Sequence, residues 1–255
     1  MSTKPLTVYV GYDAREHDAY EVCVHSLLRH SSISLNVVRL DQSLLRYVKL
    51  YDRPFRLEKG QKIDERDGKP FSTDFSFTRF LVPALSLYEG WAVFMDCDFL
   101  ITQDIAKLME YADERFGALV VKHDYTPFEA IKMDGQIQSK YRRKNWSSFI
   151  LWNCSHQLNR FLTVDAVNHE PGSWLHGFEW LTDNSIGTLP KRWNWLSCVD
   201  KPLLHDEVPS AIHFTLGTPD MPGWETSPYA DLWTDELRLL RQGRKLHTTQ
   251  LRAIA

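Results

Sequence analysis

The sequence predicts an α/β domain built on a mostly parallel central sheet flanked by helices. Three observations carry this. The 255 residues suffice for one large domain with a sizeable core. The chain opens with a strand (Leu6 to Val10), a helix (about Glu16 to His30) and a second strand (Leu35 to Leu40), an order that calls for a parallel pair with a right-handed crossover. Further on, the apolar run Trp91 to Met95 reads as a short buried strand that closes on Asp96-Cys97-Asp98.

Composition narrows the function classes. Hydrophobic residues make up 43% and charged residues 25%, as in ordinary soluble domains. A net charge of −3 argues against a nucleic-acid binder driven by bulk electrostatics. Cys23, Cys97, Cys154 and Cys198 lie far apart, which excludes an ordinary zinc cluster and a small disulfide scaffold and fits a reducing cytoplasm. Met1 to Pro5 is polar with no secretory apolar region behind it. No apolar run approaches the roughly 20 residues of a membrane span. Six of nine tryptophans fall between Trp146 and Trp195. Such clusters fill cores, and they also line sugar sites by stacking on pyranose C–H groups.

Taken in order, Leu6 to Val10 is β-branched and weakly alternating. Gly11-Tyr12-Asp13 reads as the turn after it, at the carboxyl edge of the sheet where ligands bind in open α/β folds. Tyr12 would stack on a base and Asp13 would accept from a base or ribose; an ordinary turn is the other reading. Ala19, Val22, Cys23 and Leu27 fall at helical spacing. Asp52 to Thr73 is half charged and rich in turn residues, the pattern of a structureless mobile lid. Phe77, Phe80, Leu81, Ala84 and Tyr88 form a helical stripe interrupted by Pro83. Arg79 lies off that stripe, either solvated or reaching toward the Asp96 strand end.

Residues two apart in a strand point the same way. Asp96 and Asp98 therefore aim two carboxylates at one point, with Cys97 facing the other side. Like charges so close favour a cation between them, and carboxylates suit Mg²⁺ or Mn²⁺ gripping a diphosphate. The alternative is a solvated turn. Thr102 is the expected N-cap of a helix through Ile105, Leu108, Met109 and Ala112. Ala118 to Val121 and Trp146 to Asn153 are strands, with His123 to Asn145 between them polar and mostly loop or short helix. Leu158, Phe161 and Leu162 suggest a helix. Trp174 to Trp195 is irregular, with Glu179 and Asp183 as its acids. Ala211 to Leu216 is a last strand carrying His213. Asp231 to about Arg244 is an amphipathic helix with its acids early and its bases late, matching the helix dipole. The basic end, Arg238 to Arg252, is a candidate for weak contact with an anionic membrane surface.

The ordered set of a nucleotide-shaped first turn, Thr78-Arg79-Phe80-Leu81-Val82-Pro83, Asp96-Cys97-Asp98 and His213-Phe214-Thr215-Leu216-Gly217 resembles the family 8 glycosyltransferases, from Val8 to about Trp224. The resemblance implies the GT-A fold, a Rossmann-like mostly parallel sheet in a single domain over 1–255. Within it, 6–122 would be the nucleotide-binding half, 123–230 the acceptor and metal-completing half, and 231–255 a helical tail. It implies a retaining transferase using a nucleotide-sugar, commonly a UDP-sugar, with Mn²⁺ or Mg²⁺ and a glycan or glycolipid acceptor. Asp96, Asp98 and His213 would hold the metal. Arg79 would contact the diphosphate or hold an aspartate. Val10, Gly11, Tyr12 and Asp13 match the uridine turn, and Cys97 would sit beside the donor. Gly217 would admit the diphosphate to the backbone.

The chain also departs from the family. No lysine follows Gly217, so the leaving-group cation must come from elsewhere; Lys191, Arg192, Lys62 and Arg66 are the candidates. The sugar-binding Asn-X-Gly turn is matched only loosely, by Asn145-Trp146-Ser147-Ser148. Catalysis could run through Arg79 with Glu179 or Asp183 as a nucleophile, or by same-face attack without one. The competing functions are a sugar-nucleotide pyrophosphorylase, which lacks its Gly-rich phosphate loop here, and a catalytically inactive carbohydrate-binding or interaction protein.

Overall fold

The computed structural model describes residues 4–123, 143, 145–203 and 207–253, with only the helical course given for 244–253. The chain begins with β1 (Leu6–Tyr12), α1 (His17–His30), β2 (Leu35–Asp41) and α2 (Gln42–Tyr47). A hairpin, β3 (Phe55–Glu58) and β4 (Gln61–Asp64), precedes α3 (Val82–Leu85). Then come β5 (Trp91–Met95), β6 (Phe99–Ile101), β7 (Ala118–Val120) and β8 (Phe149–Asn153). The remainder comprises α4 (Val164–His169), α5 (Gly172–His176), β9 (Ile186–Thr188), β10 (Trp195–Leu196), β11 (Ala211–His213) and α6 (Ala230–Ala253).

Six strands form the main sheet in the order β2-β1-β5-β8-β7-β9. β1 pairs parallel with both β2 and β5, and β7 pairs parallel with β9. β8 runs antiparallel between β5 and β7. The expected mostly parallel α/β architecture is present. The boundary at residue 122 does not divide it, because β8 comes from beyond that point and inserts between two earlier strands.

A second sheet, β10-β11-β6, stands at the carboxyl end of β5. Asp96-Cys97-Asp98 is the whole connection from β5 in the main sheet to β6 in the small one. The two sheets thus meet at the acidic pair. β11 pairs antiparallel with β6, with His213 opposite Phe99. β8 pairs with β5, with Phe149 opposite Met95. These two registers decide which residues stand next to Asp96 and Asp98.

Several local expectations change. Gly11 and Tyr12 belong to β1, and the turn begins at Asp13. Thr102 caps nothing; Asp104 caps a 3-10 helix over Ile105–Tyr111, its carboxylate accepting from the Ala106 N–H. The stripe around Phe80 is a 3-10 turn, Thr78–Leu81, running into α3 with Pro83 in the first turn, where its missing N–H does no harm. Leu158 to Phe161 is likewise 3-10 rather than α.

The stretch Asp52 to Thr73 is ordered, not structureless. Arg53 is fully buried and forms a fork with Asp64 at 3.0 and 2.5 Å. Its remaining N–H groups donate to the Val167 and Glu170 carbonyls, and Phe77 packs under the guanidinium at 4.1 Å. The charge content that suggested a lid here includes an internal ion pair that fixes the β3–β4 hairpin to α4.

The C-terminal segment is not a tail in its first half. Trp233 and Leu237 pack with Val22 of α1, with Leu100, Trp195 and Ile212 of the small sheet, and with Phe214 just beyond β11. Glu236 is buried and accepts from Arg29 at 2.6 Å and pairs with His25 at 2.6 Å. Arg238 and Arg241 pair with Asp235 and Asp18. The side chains of Arg244, Lys245 and Arg252, on which the membrane expectation also rested, lie outside the described residues. Among the described residues no helix is long and apolar enough to cross a membrane.

Candidate active site

Asp96, Asp98 and His213 come together, each buried, with one ligand atom from each within 4.8 Å of the others. The convergence follows from strand pairing. His213 sits opposite Phe99, so its ring stacks on the Phe99 ring at 4.4 Å, and its Nε2 lies 3.3 Å from Asp98 Oδ1. The backbone locks the same junction, as the Phe214 N–H donates to the Asp98 carbonyl at 2.9 Å. On the other side the Asp96 N–H donates to the Ser148 carbonyl at 2.9 Å.

Asn194 sets the imidazole. Its Nδ2 donates to Ser148 Oγ at 2.9 Å and to the Asn145 carbonyl at 3.3 Å, which turns its Oδ1 toward His213 Nδ1 at 2.9 Å. Nδ1 therefore donates to Asn194 Oδ1, and Nε2 is the ring nitrogen that faces the carboxylates. An imidazole held this way by a neighbouring acceptor is the usual arrangement of a metal ligand. Two carboxylates and an imidazole nitrogen suit Mn²⁺ or Mg²⁺. The residues fit a divalent metal.

Arg79 is buried. One of its terminal nitrogens lies 2.9 Å from Asp96 Oδ1 and donates to the Ser147 carbonyl at 2.9 Å. Its Nε donates to the Phe75 carbonyl at 3.3 Å, and the rings of Phe75 and Phe94 flank it. Of the two roles expected for it, holding an aspartate is the one its contacts show. Cys97 faces away, as the alternation requires. Its thiol lies 3.2 Å from Glu16 Oε2, and burial, with Glu16 beside it, pushes its pKa well up.

Two cavities flank the acidic pair. One reaches Asp96 and His213 and is walled by Arg79, Arg143, Ser147, Ser148 and His176. Ser147 Oγ is 3.1 Å from His176 Nδ1. The other ends at Asp98 and is walled by Arg15, Phe214, Gly217, Thr218 and Met221. Ser72 and Thr215 line both.

The other residues of the expected set have these surroundings. Val10 is fully buried between β2 and β5, so its side chain is a core group. Gly11 is needed for packing: a Cβ there would stand 2.5 Å from the Phe75 ring. Asp13 is 1% exposed, and its oxygens accept from Arg15 and from the Asp74 N–H. Burial alone would raise its pKa, but these hydrogen bonds outweigh it and leave the pKa low. Tyr12 lies beneath the Arg39 guanidinium at 4.5 Å. Glu179 is exposed, Asp183 is exposed and paired with Arg143, and neither lines a cavity. Lys62 pairs with Asp74, Lys191 with Asp200 and Arg192 with Glu207, while Arg66 donates to the Asn168 carbonyl; none of these bases lines either cavity. Sequence reading missed Asn194 and Arg143, which lie in no recognisable pattern. It also passed over Arg15, whose spacing from Asp13 is that of a side-chain pair across a turn.

No protein-family model matches the chain. It is 44% identical over 236 residues to Protein CDI of Arabidopsis thaliana, covering 92% of this chain and 86% of that protein. In three dimensions it resembles the glycosyltransferase GlyE of Streptococcus pneumoniae TIGR4, with a TM-score of 0.55, 17% identity and 96% of this chain covered. The chain spans 64% of the length of GlyE. It also resembles the galactosyltransferase LgtC, with a TM-score of 0.52, 11% identity, and 91% of this chain and 95% of LgtC covered. At such identities the likeness is one of fold, and at that level the resemblance to family 8 holds. The chain belongs to the family of Protein CDI and has the GT-A glycosyltransferase fold.

Proposed function

We propose that the protein is a metal-dependent retaining glycosyltransferase that moves a sugar from a nucleotide-sugar, a UDP-sugar in the first instance, to the hydroxyl of a saccharide or related acceptor. The observation that carries this reading is the buried Asp96, Asp98 and His213 cluster at the joint of two cavities. Those three residues would hold Mn²⁺ or Mg²⁺. A divalent ion bound there supplies positive charge to a departing diphosphate.

The chain's own groups divide the remaining work. Arg79 fixes Asp96, and Asn194 fixes the His213 ring, so the ligand set is oriented in advance. The Asp96-side cavity offers hydroxyls, an imidazole and guanidinium groups to sugar hydroxyls. No carboxylate other than Asp96 lines that cavity among the described residues. This supports same-face attack over a covalent intermediate on Glu179 or Asp183.

The test is release of UDP from a panel of UDP-sugars with and without Mn²⁺. Asp98→Asn should lower metal-dependent release at least about a hundredfold, since it removes a charge from the ion's ligand set. Proton NMR of the first-formed glycoside should show the donor's anomeric configuration kept. Absence of any metal-dependent release across nucleotide-sugars would end the reading, and inversion would end its retaining form.

A further inference from the structure

We infer that the Asp98-side cavity is a phosphate clamp in which Arg15 and Thr218 grip the terminal, sugar-bearing phosphate of the nucleoside diphosphate; this rests on the function proposed above. A nucleoside diphosphate keeps net negative charge after one divalent ion binds. Its departure needs a further cation or donor outside the metal. Among the described residues lining this cavity, Arg15 is the sole base.

Arg15 is built to serve there. The buried Asp13 carboxylate holds its Nε at 3.0 Å and a terminal nitrogen at 2.6 Å, and that nitrogen also donates to the Ser72 carbonyl at 3.3 Å. The guanidinium is thereby fixed, yet the side chain stays 46% exposed. Held this way, the guanidinium presents a fixed positive charge on the cavity wall, which suits phosphate oxygens. Asp13 is thus a positioning residue for Arg15.

Thr218 supplies an independent observation. It is 1% exposed, and its Oγ1 has no hydrogen-bond partner among the described residues. A buried hydroxyl left without a partner forfeits its hydration, so native structures rarely keep one. This hydroxyl borders the same cavity as Arg15 and Asp98. A phosphate oxygen beside the metal would accept from it. Glu16, the other acid lining the cavity, lies against the Cys97 thiol.

The experiment is calorimetric titration of the full chain with UDP and with UMP, each with Mn²⁺. UMP lacks the terminal phosphate and serves as the internal control. Arg15→Gln should weaken UDP at least about tenfold while changing UMP less than about twofold, as expected for a charge-assisted contact to the terminal phosphate alone. Arg15→Lys should recover part of the loss, because charge returns without the fork. Thr218→Val should weaken UDP by about three- to tenfold, again sparing UMP. Ligand-free melting curves establish that each variant folds, and Thr218→Val carries the test if Arg15→Gln does not. A wild-type chain that binds neither nucleotide with Mn²⁺ removes the proposed UDP-sugar donor, and this inference with it. A wild-type chain that binds UDP, with variants that match it or lose UDP and UMP equally, overturns the phosphate clamp alone.

Discussion

At the scale of single residues, Asn194 decides whether the acidic pair works with His213. Its two donated hydrogen bonds leave only its oxygen for the imidazole, and that fixes which ring nitrogen faces Asp98. Asn194→Ala should lower Mn²⁺ affinity by about ten- to a hundredfold, the usual cost of losing an orienting partner. Paramagnetic resonance of free Mn²⁺ in a titration reads this directly, and unchanged affinity would show that the ring needs no such support. Asp96 and Asp98 were readable from the sequence, because their two-residue spacing fixes their common direction in an extended chain. Asn194 was not readable. It directly follows the 3-10 turn Lys191–Trp193, and its importance comes only from what β11 places beside it.

At the scale of elements, the β3–β4 hairpin shows how charge content misleads. Eleven of the 22 residues from Asp52 to Thr73 are charged, a composition that reads as solvated loop. Arg53 and Asp64 are internal instead, with the guanidinium also bonded to the chain around α4. Removing one partner of a buried pair leaves the other charged and unpaired. Asp64→Asn should therefore destabilise the fold by about 3–5 kcal/mol, measured from the denaturant midpoint. A loss under about 1 kcal/mol would place the pair in the surface class instead. Hydrogen exchange at the β3–β4 amides should also be slow without any donor present, the reverse of what a disordered lid would give.

At the scale of the whole molecule, α6 closes the fold over the sheet that carries His213. Its apolar face covers Leu100, Ile212 and Phe214, while Glu236 bridges to His25 and Arg29 on α1. Burial would raise the Glu236 pKa, but the bonds from Arg29 and His25 outweigh it and hold it below the ordinary 4.5. The unfolded chain thus takes up its proton first as pH falls. The bridge's stability is fully present above pH 4.5 and is lost as pH falls through the lower folded value. Glu236→Gln should cost about 1–3 kcal/mol at neutral pH and remove that part of the acid dependence. Chemical denaturation at a series of pH values tests both, and equal acid slopes for wild type and variant would contradict the assignment.

Legible in the residues alone were the strand–helix–strand opening, the buried strand ending in two aligned carboxylates, the late strand bearing His213 and the amphipathic closing helix. Each of these is written in local periodicity or spacing, which needs no partner to be read. Tertiary structure alone decided that Asp96-Cys97-Asp98 joins two sheets, and that β8, β10 and β11 bring Ser148, Asn194 and His213 to it. It also buried the Val10 side chain, set Gly11 against the Phe75 ring, bonded Asp13 to Arg15, and left Glu179 and Asp183 at the surface. The reason is physical. Strand register couples residues more than a hundred positions apart, and the direction in which a polar side chain is satisfied depends on neighbours that only the register supplies.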